Sequence, residues 1–258
     1  MRLKDKVILV TGSTTGIGEG MARLFIREGA RVVIHGTRKE AAQKLASELG
    51  KNTAYVLGGL DDPKVPERLI AETVAHFGCI DGLVNNAAAV VRSNLQTTDV
   101  ALFDRVIAIN LRAPLLLIQA ALPHFRKQGG GRVVNIGSIN AYCGEKNQLP
   151  YSVSKGGLMT LTRNLADAYG PEGLRVNQFN VGWTLTPNEY ELKMKEGLSA
   201  DWPSKVPKAF APSGRLLSPD DIAWAAVYFL SDEAALINGQ VIELEQYPMI
   251  GRNPVKET

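Results

Sequence analysis

Short runs of β-branched and aliphatic residues alternate with longer stretches of helical period along almost the whole chain, and few folds accept that alternation. Lys6–Thr11 (KVILVT) gives way to a helical pattern near 17–28, Arg31–Gly36 (RVVIHG) to one near 39–49, and Thr53–Leu57 (TAYVL) to one near 64–77. Strand, helix and strand in such close succession is the pattern of βαβ units around a parallel sheet. Further strands are expected at DGLVNN (81–86), RVVNIGS (132–138), LRVNQF (174–179) and QVIEL (240–244), separated by helices near 99–127, 151–169 and 219–231. Parallel strands covered on both faces read as continuous apolar runs, as KVILV, RVVI and RVVNI do. The expectation is an α/β fold: a doubly wound, seven-stranded parallel sheet in three αβα layers, forming a single domain over 1–258.

Composition narrows the function classes. Hydrophobic residues make up 45% and charged residues 21%, enough apolar surface for a large core. The formal charge is only +3 and its basic residues are scattered, so no nucleic-acid partner is expected. Cys79 and Cys143 have neither CxxC spacing nor a secretory context, which argues against a disulfide framework and against a metal site. The apolar run at the start spans only Val7–Val10, too short for a signal segment. Pro114–Pro123, broken by Gln119, falls below the roughly 20 residues that a bilayer requires. A cytoplasmic protein with no membrane association is therefore expected. The proline-rich, polar stretch 187–218 is too long for a routine connection and is expected to be a substrate loop or lid.

Two motifs carry chemistry. Directly after the first strand stands Thr11-Gly12-Ser13-Thr14-Thr15-Gly16-Ile17-Gly18, with a helix beginning there. Glycines let a backbone approach a pyrophosphate, and the helix start supplies unpaired N–H groups and the positive end of its dipole. The arrangement is Rossmann-like, although the spacing is GxxxGxG and not the commoner GxGxxG. Farther on, Tyr151-Ser152-Val153-Ser154-Lys155 opens a helix and puts Tyr151 and Lys155 on one face. Free tyrosine titrates near 10, too high for acid/base work at neutral pH, and a neighbouring ammonium is expected to bring it down.

Taken together, TGxxxGIG, Asn85-Asn86-Ala87, Asn110, Ser138 and Tyr151-x-x-x-Lys155 follow one another at separations that resemble the compact subgroup of the short-chain dehydrogenase/reductase family, from Lys6 to about Glu245. That resemblance implies an oxidoreductase acting on CH–OH groups, which passes hydride between a nicotinamide dinucleotide and a carbonyl or alcohol carbon. It implies that Tyr151 exchanges the proton, that Ser138 hydrogen-bonds the reacting oxygen, that Lys155 also holds the nicotinamide ribose, and that Asn110 holds a water linked to Lys155. The cofactor would lie along Gly12, Ser13, Thr15, Gly16, Ile17 and Gly18, then Gly36, Thr37, Arg38, Leu60, Asn86, Ala87 and Ala88, with Gly182, Thr184 and Thr186 beside Tyr151 and Lys155. Three positions depart from the family pattern: Ala88 replaces a glycine, Gly59 an aspartate, and Val181 the proline of a Pro-Gly pair. A dinucleotide-binding sensor of the same fold without turnover is the alternative, and the intact Ser138, Tyr151, Lys155 and Asn110 argue against it.

Cofactor choice is read at the end of the second strand, His35-Gly36-Thr37-Arg38. Gly36 stands where an NAD-selecting carboxylate would be, and Arg38 is free to meet a 2′-phosphate, so NADP is favoured and NAD remains possible. Asn140, Gln148, Trp183 and Glu189 would line the substrate cleft with polar groups and one aromatic wall, suiting a small polar ketone or secondary alcohol. The resemblance also implies a homo-oligomer, tetramer or dimer, with helices 99–127 and 151–169 as contact faces.

Overall fold

The computed structural model describes residues 1–249; residues 250–258 of the expected domain lie outside the described residues. Strands β1 (Val7–Val10), β2 (Arg31–Gly36), β3 (Thr53–Leu57), β4 (Gly82–Asn85), β5 (Gly131–Ser138), β6 (Leu174–Val181) and β7 (Val241–Leu244) form one fully parallel sheet in the order β3-β2-β1-β4-β5-β6-β7. The chain order reverses between β1 and β4, which opens a crevice at their carboxyl ends. Every residue of β1 and β4 is buried, as continuous apolar runs require.

Helices α1 (Gly16–Arg27), α2 (Lys39–Leu49) and α3 (Val65–Phe77) follow the first three strands. On one face of the sheet α1 packs against α9 (Pro219–Leu230), enclosing Leu24, Phe25, Ile222 and Val227. On the other, α3 meets α5 (Ala113–Lys127) around Leu69, Leu117, Ile118 and Phe125. Ser218 and Asp221 cap α9 reciprocally, so its start is fixed at the residue before Pro219.

Several boundaries differ from the sequence reading. The helix expected at 99–127 is α4 (Val100–Ile107) joined to α5 by a π-helical turn, Ala108–Arg112, that contains Asn110. Val100–Lys127 is long and apolar enough, by length and composition alone, to cross a bilayer. Its Leu117, Ile118, Ala121 and Phe125 are buried in the core of this fold. A short helix α6 (Asn140–Cys143) precedes α7 (Leu149–Tyr169), which begins two residues before Tyr151 because Pro150 suits a first helical turn. The sixth strand continues to Val181. The stretch 187–218 contains helix α8 (Pro187–Lys195), a 3₁₀ turn at Trp202–Lys205, and a small core of its own around Trp202, Ala211 and Leu216. Trp183 stacks on Trp202 at 5.6 Å between ring centroids, which fastens that excursion to the end of β6.

Candidate active site

The turn after β1 and the turn after β4 are built as one piece. Thr11 Oγ1 accepts hydrogen bonds from the backbone N–H of Asn86 (3.0 Å) and Ala87 (3.1 Å) and donates to the Val84 carbonyl at 3.2 Å. Asn86 Nδ2 returns two bonds, to the carbonyls of Thr11 (2.9 Å) and Gly12 (3.0 Å). Gly12 has φ +62°, and a Cβ there would lie 2.8 Å from Ala87 Cα; at Gly18 a Cβ would lie 2.5 Å from the Gly12 carbonyl oxygen. Both positions demand glycine, one for its backbone and one for its neighbours. Ser13 Oγ donates to the Val10 carbonyl at 2.7 Å, whereas Thr15, at the N-cap of α1, makes no capping bond. Among the described residues the first N–H groups of α1 accordingly have no side-chain partner at the mouth of a glycine-lined cradle, which fits a pyrophosphate. Ile17 packs against the core beneath, and Thr186, at the root of the excursion, would meet a Cβ of Gly16 at 3.4 Å.

His35 is the organiser that the sequence reading missed. Its buried ring accepts from Gly12 N–H through Nδ1 at 3.1 Å, and Nε2 stands 3.0 Å from the Gly58 carbonyl, so the neutral Nε2–H tautomer satisfies both. Burial pushes its pKa down to about 4; the Gly58 bond opposes that and the Arg68 charge adds to it. One imidazole thereby links the phosphate turn, β2 and the loop after β3, where Leu60 is buried. A histidine inside a strand whose neighbours are Ile34 and Gly36 was the only signal available in the sequence. Beyond it, Thr37 and Arg38 are exposed at the start of α2.

The carboxyl end of β5 meets the start of α7. Ser138 is buried beside the Tyr151 phenol, and its Oγ accepts from Asn140 N–H at 3.2 Å. Lys155 is buried, with Nζ 5.6 Å from the centre of the Tyr151 ring and donating to the Ile136 carbonyl at 2.6 Å. The expected lowering of the tyrosine by the lysine is not what this arrangement does. Burial pushes the Tyr151 phenol above its ordinary value, with the Ser138 bond opposing, and burial brings Lys155 down to about 8. Desolvation wins here because the ammonium bonds a backbone carbonyl and not the phenol oxygen.

Asn110 joins the loop after β4 to α7. Its side chain accepts from Ala89 N–H (2.7 Å) and donates to the Ala89 carbonyl (3.0 Å) and to Ser154 Oγ (3.0 Å). Ser154 in turn donates to the Tyr151 carbonyl at 2.7 Å. Asn110 therefore clasps the loop after β4 to the turn of α7 that carries Tyr151, one residue from Lys155. Ala88, in that loop, is exposed and keeps a negative φ, so the methyl group is accommodated without strain.

The four residues expected to line the cleft form two hydrogen-bonded pairs. Asn140 Nδ2 donates to Gln148 Oε1 at 2.8 Å on the Ser138 side, and Trp183 Nε1 donates to Glu189 Oε1 at 2.8 Å on the side of β6. Thr184 is buried and bridges to Leu217, while Thr186 caps α8 by accepting from Glu189 N–H at 3.2 Å. Glu245, another residue the sequence reading did not single out, accepts from Trp183 N–H at 3.2 Å and lies against Gly182. A carboxylate just past the last strand thus fixes the Val181-Gly182 turn.

A glycine cradle at a helix start, at the crevice of a doubly wound sheet, with Ser138 beside Tyr151 and a buried lysine one helical turn further on, defines a nicotinamide-dependent oxidoreductase acting on CH–OH groups. The family model for enoyl-(acyl carrier protein) reductase matches residues 12–246. The cis-4-hydroxycyclohexanecarboxylate dehydrogenase of Sinomonas cyclohexanicum is 35% identical over 93% of this chain and 95% of its own length. Among solved structures, levodione reductase superposes with a TM-score of 0.86 at 30% identity, covering 95% of this chain and 97% of that one. A 3-ketoacyl-(acyl-carrier-protein) reductase from Brucella melitensis, solved in complex with NADH, gives 0.83 at 31% identity, covering 93% and 97%. This chain belongs to the short-chain dehydrogenase/reductase family.

Proposed function

We propose that the chain reduces a small, polar ketone, or oxidises the corresponding secondary alcohol, with NADP(H), and that Ser138, Tyr151, Lys155 and Asn110 are its catalytic set. The observation that carries this is the convergence of buried Ser138, Tyr151 and buried Lys155 at the carboxyl edge of β5, beside the cradle of α1. The bound nicotinamide would supply or accept the hydride. Tyr151, held protonated at neutral pH by its burial, gives its phenolic proton to the carbonyl oxygen during reduction, and Ser138 donates to the same oxygen as negative charge develops there. Lys155 supplies a buried cation to the ribose hydroxyls, and Asn110 keeps the helix turn that carries Tyr151 in register. Oxidation runs the proton the other way, so its rate should rise with pH as Tyr151 ionises. The test is a screen of ketones and alcohols followed by nicotinamide absorbance with NADP(H) and NAD(H) in parallel; dinucleotide binding with no turnover of any of them would refute the reading.

NADP preference is supported by exposed Arg38 at the start of α2, with Thr37 beside it and no carboxylate at Gly36. A charge-assisted bond to a 2′-phosphate is worth about 1.5–3 kcal/mol, so Arg38→Ala should weaken NADP roughly 10- to 150-fold and leave NAD nearly unchanged. Equal losses for both dinucleotides by calorimetric titration would remove Arg38 from the site. Gly36→Asp is a poorer probe, since a Cβ there would lie 2.7 Å from Thr14 Cγ2 and disturb the phosphate turn itself.

Self-association through the α4–α5 and α7 faces is supported by exposed Val100, Leu115 and Val153. Light scattering at micromolar protein should give the mass of a tetramer or dimer. A monomer mass would reject it.

A further inference from the structure

Resting on that reading, we propose that the substrate carries an anionic group, typified by a carboxylate, several bonds from its reacting carbon, and that Arg92 binds it. A cavity of about 490 Å³, of a size that suits a small ligand, is lined by Arg92, Ser93, Glu145, Asn147, Lys193 and Glu196 among others. Contacts tie it to both walls of the proposed active site. On one side Ser93 pairs with Gln148, which bonds Asn140, whose N–H bonds Ser138. Glu145 N–H also donates to Ser152, the neighbour of Tyr151, at 3.2 Å. On the other side Lys193 Nζ lies 5.7 Å from the Trp183 ring centre, next to Gly182.

Within this cavity the two cations are engaged very differently. Lys193 donates to Glu196 at 2.7 Å. Arg92 bridges two carboxylates, Glu196 at 3.3 Å and Glu145 at 3.7 Å. Arg215–Asp221 and Arg2–Glu233 close up to 2.6 Å, whereas the more exposed Arg27–Asp220 pair stays at 3.9 Å. Charge-assisted bonds of this kind normally settle near 2.7–2.9 Å, so both pairs of Arg92 are long and its planar fork can be re-engaged by a bidentate partner. Glu196 is already held by Lys193 and can stay there when a ligand carboxylate takes its place at Arg92. Partly exposed ion pairs contribute little, so the exchange meets small resistance.

The experiment compares isosteric charged and neutral ketones: 5-oxohexanoate against 5-oxohexanamide, and 4-oxocyclohexanecarboxylate against its carboxamide, each with NADPH and NADH. The expected result is a kcat/KM for the carboxylates higher than for the amides by about 10-fold or more, carried mainly by KM. Arg92→Gln should abolish that preference by lowering the carboxylate values roughly 10- to 100-fold with little change for the amides, while Arg92→Lys keeps part of it. Glu196→Gln, which removes the competing carboxylate, should lower KM for the carboxylates alone. Equal values for charged and neutral partners, an unaltered preference in Arg92→Gln, or turnover of neutral ketones with none of the carboxylates would each overturn the inference and leave the oxidoreductase reading standing. Failure of every carbonyl compound with either dinucleotide, while the dinucleotide still binds, overturns both.

Discussion

Tyr151→Phe is expected to lower kcat by roughly 100- to 10,000-fold, the range by which a positioned general acid acts, while dinucleotide affinity stays within a few-fold. The change deletes one oxygen from a ring that otherwise keeps its place at the start of α7. The group lost is the proton donor, and the remaining partner, Ser138, still accepts from Asn140 N–H at 3.2 Å. Ser138 is buried, so losing the phenolic oxygen beside it should also destabilise the fold by about 1 kcal/mol, a minor loss beside the kinetic one. Steady-state rates, a dinucleotide titration and thermal unfolding of the same preparation separate the three quantities. Near-normal kcat with unchanged KM would falsify the assignment of Tyr151. A fall in kcat accompanied by lost dinucleotide binding would instead point to a misplaced α7.

How much of this was legible before the structure depends on whether a residue acts alone or through neighbours brought in by topology. The sheet was legible because parallel strands buried on both faces, such as Val7–Val10 and Arg31–Gly36, leave short continuous apolar runs, and their alternation with longer stretches of helical period marks βαβ units. The cradle was legible because Gly12 and Gly18 are excluded from being anything else, by a positive φ at one and a 2.5 Å approach at the other. Pairings across the sequence were not. Asn110 clasping Ala89 and Ser154 depends on a π-helical turn whose residues, Ala108–Arg112, carry no proline or glycine to announce it. The ordering of excursion 187–218 arises from Trp183 stacking on Trp202, a contact between residues 19 apart that leaves no periodic trace. Lys155 was read from its spacing to Tyr151, but spacing says nothing of the Ile136 carbonyl that its ammonium bonds. The pKa expectation failed at that point, because burial and not the pair charge governs both groups.

His35 gives the largest expected pH effect on stability. In the fold its ring titrates at about 4, against an ordinary value near 6.5, because it is buried and lies near the Arg68 charge, with the Gly58 bond opposing. Protonation would set one N–H against another at 3.1 Å inside the phosphate turn. Between pH 6.5 and 4 the unfolded chain binds this proton and the folded one does not, so the contribution of His35 is complete above about 6.5 and is lost progressively as pH falls toward 4. Integrated over that window the loss is about 3 kcal/mol. Carboxylates lose stabilisation over part of the same range, so the measurement is a difference: urea unfolding of the wild type and of His35→Gln at several pH values from 7 to 4. His35→Gln should be the less stable protein at pH 7, with weaker dinucleotide binding because Gly12 is no longer held in the same way. Its stability should then decline less steeply toward pH 4, by about 3 kcal/mol in all. Parallel curves for the two proteins would show that the Gly12–His35–Gly58 link does not titrate in this window, and the neutral imidazole could no longer be held responsible for the shape of the phosphate turn.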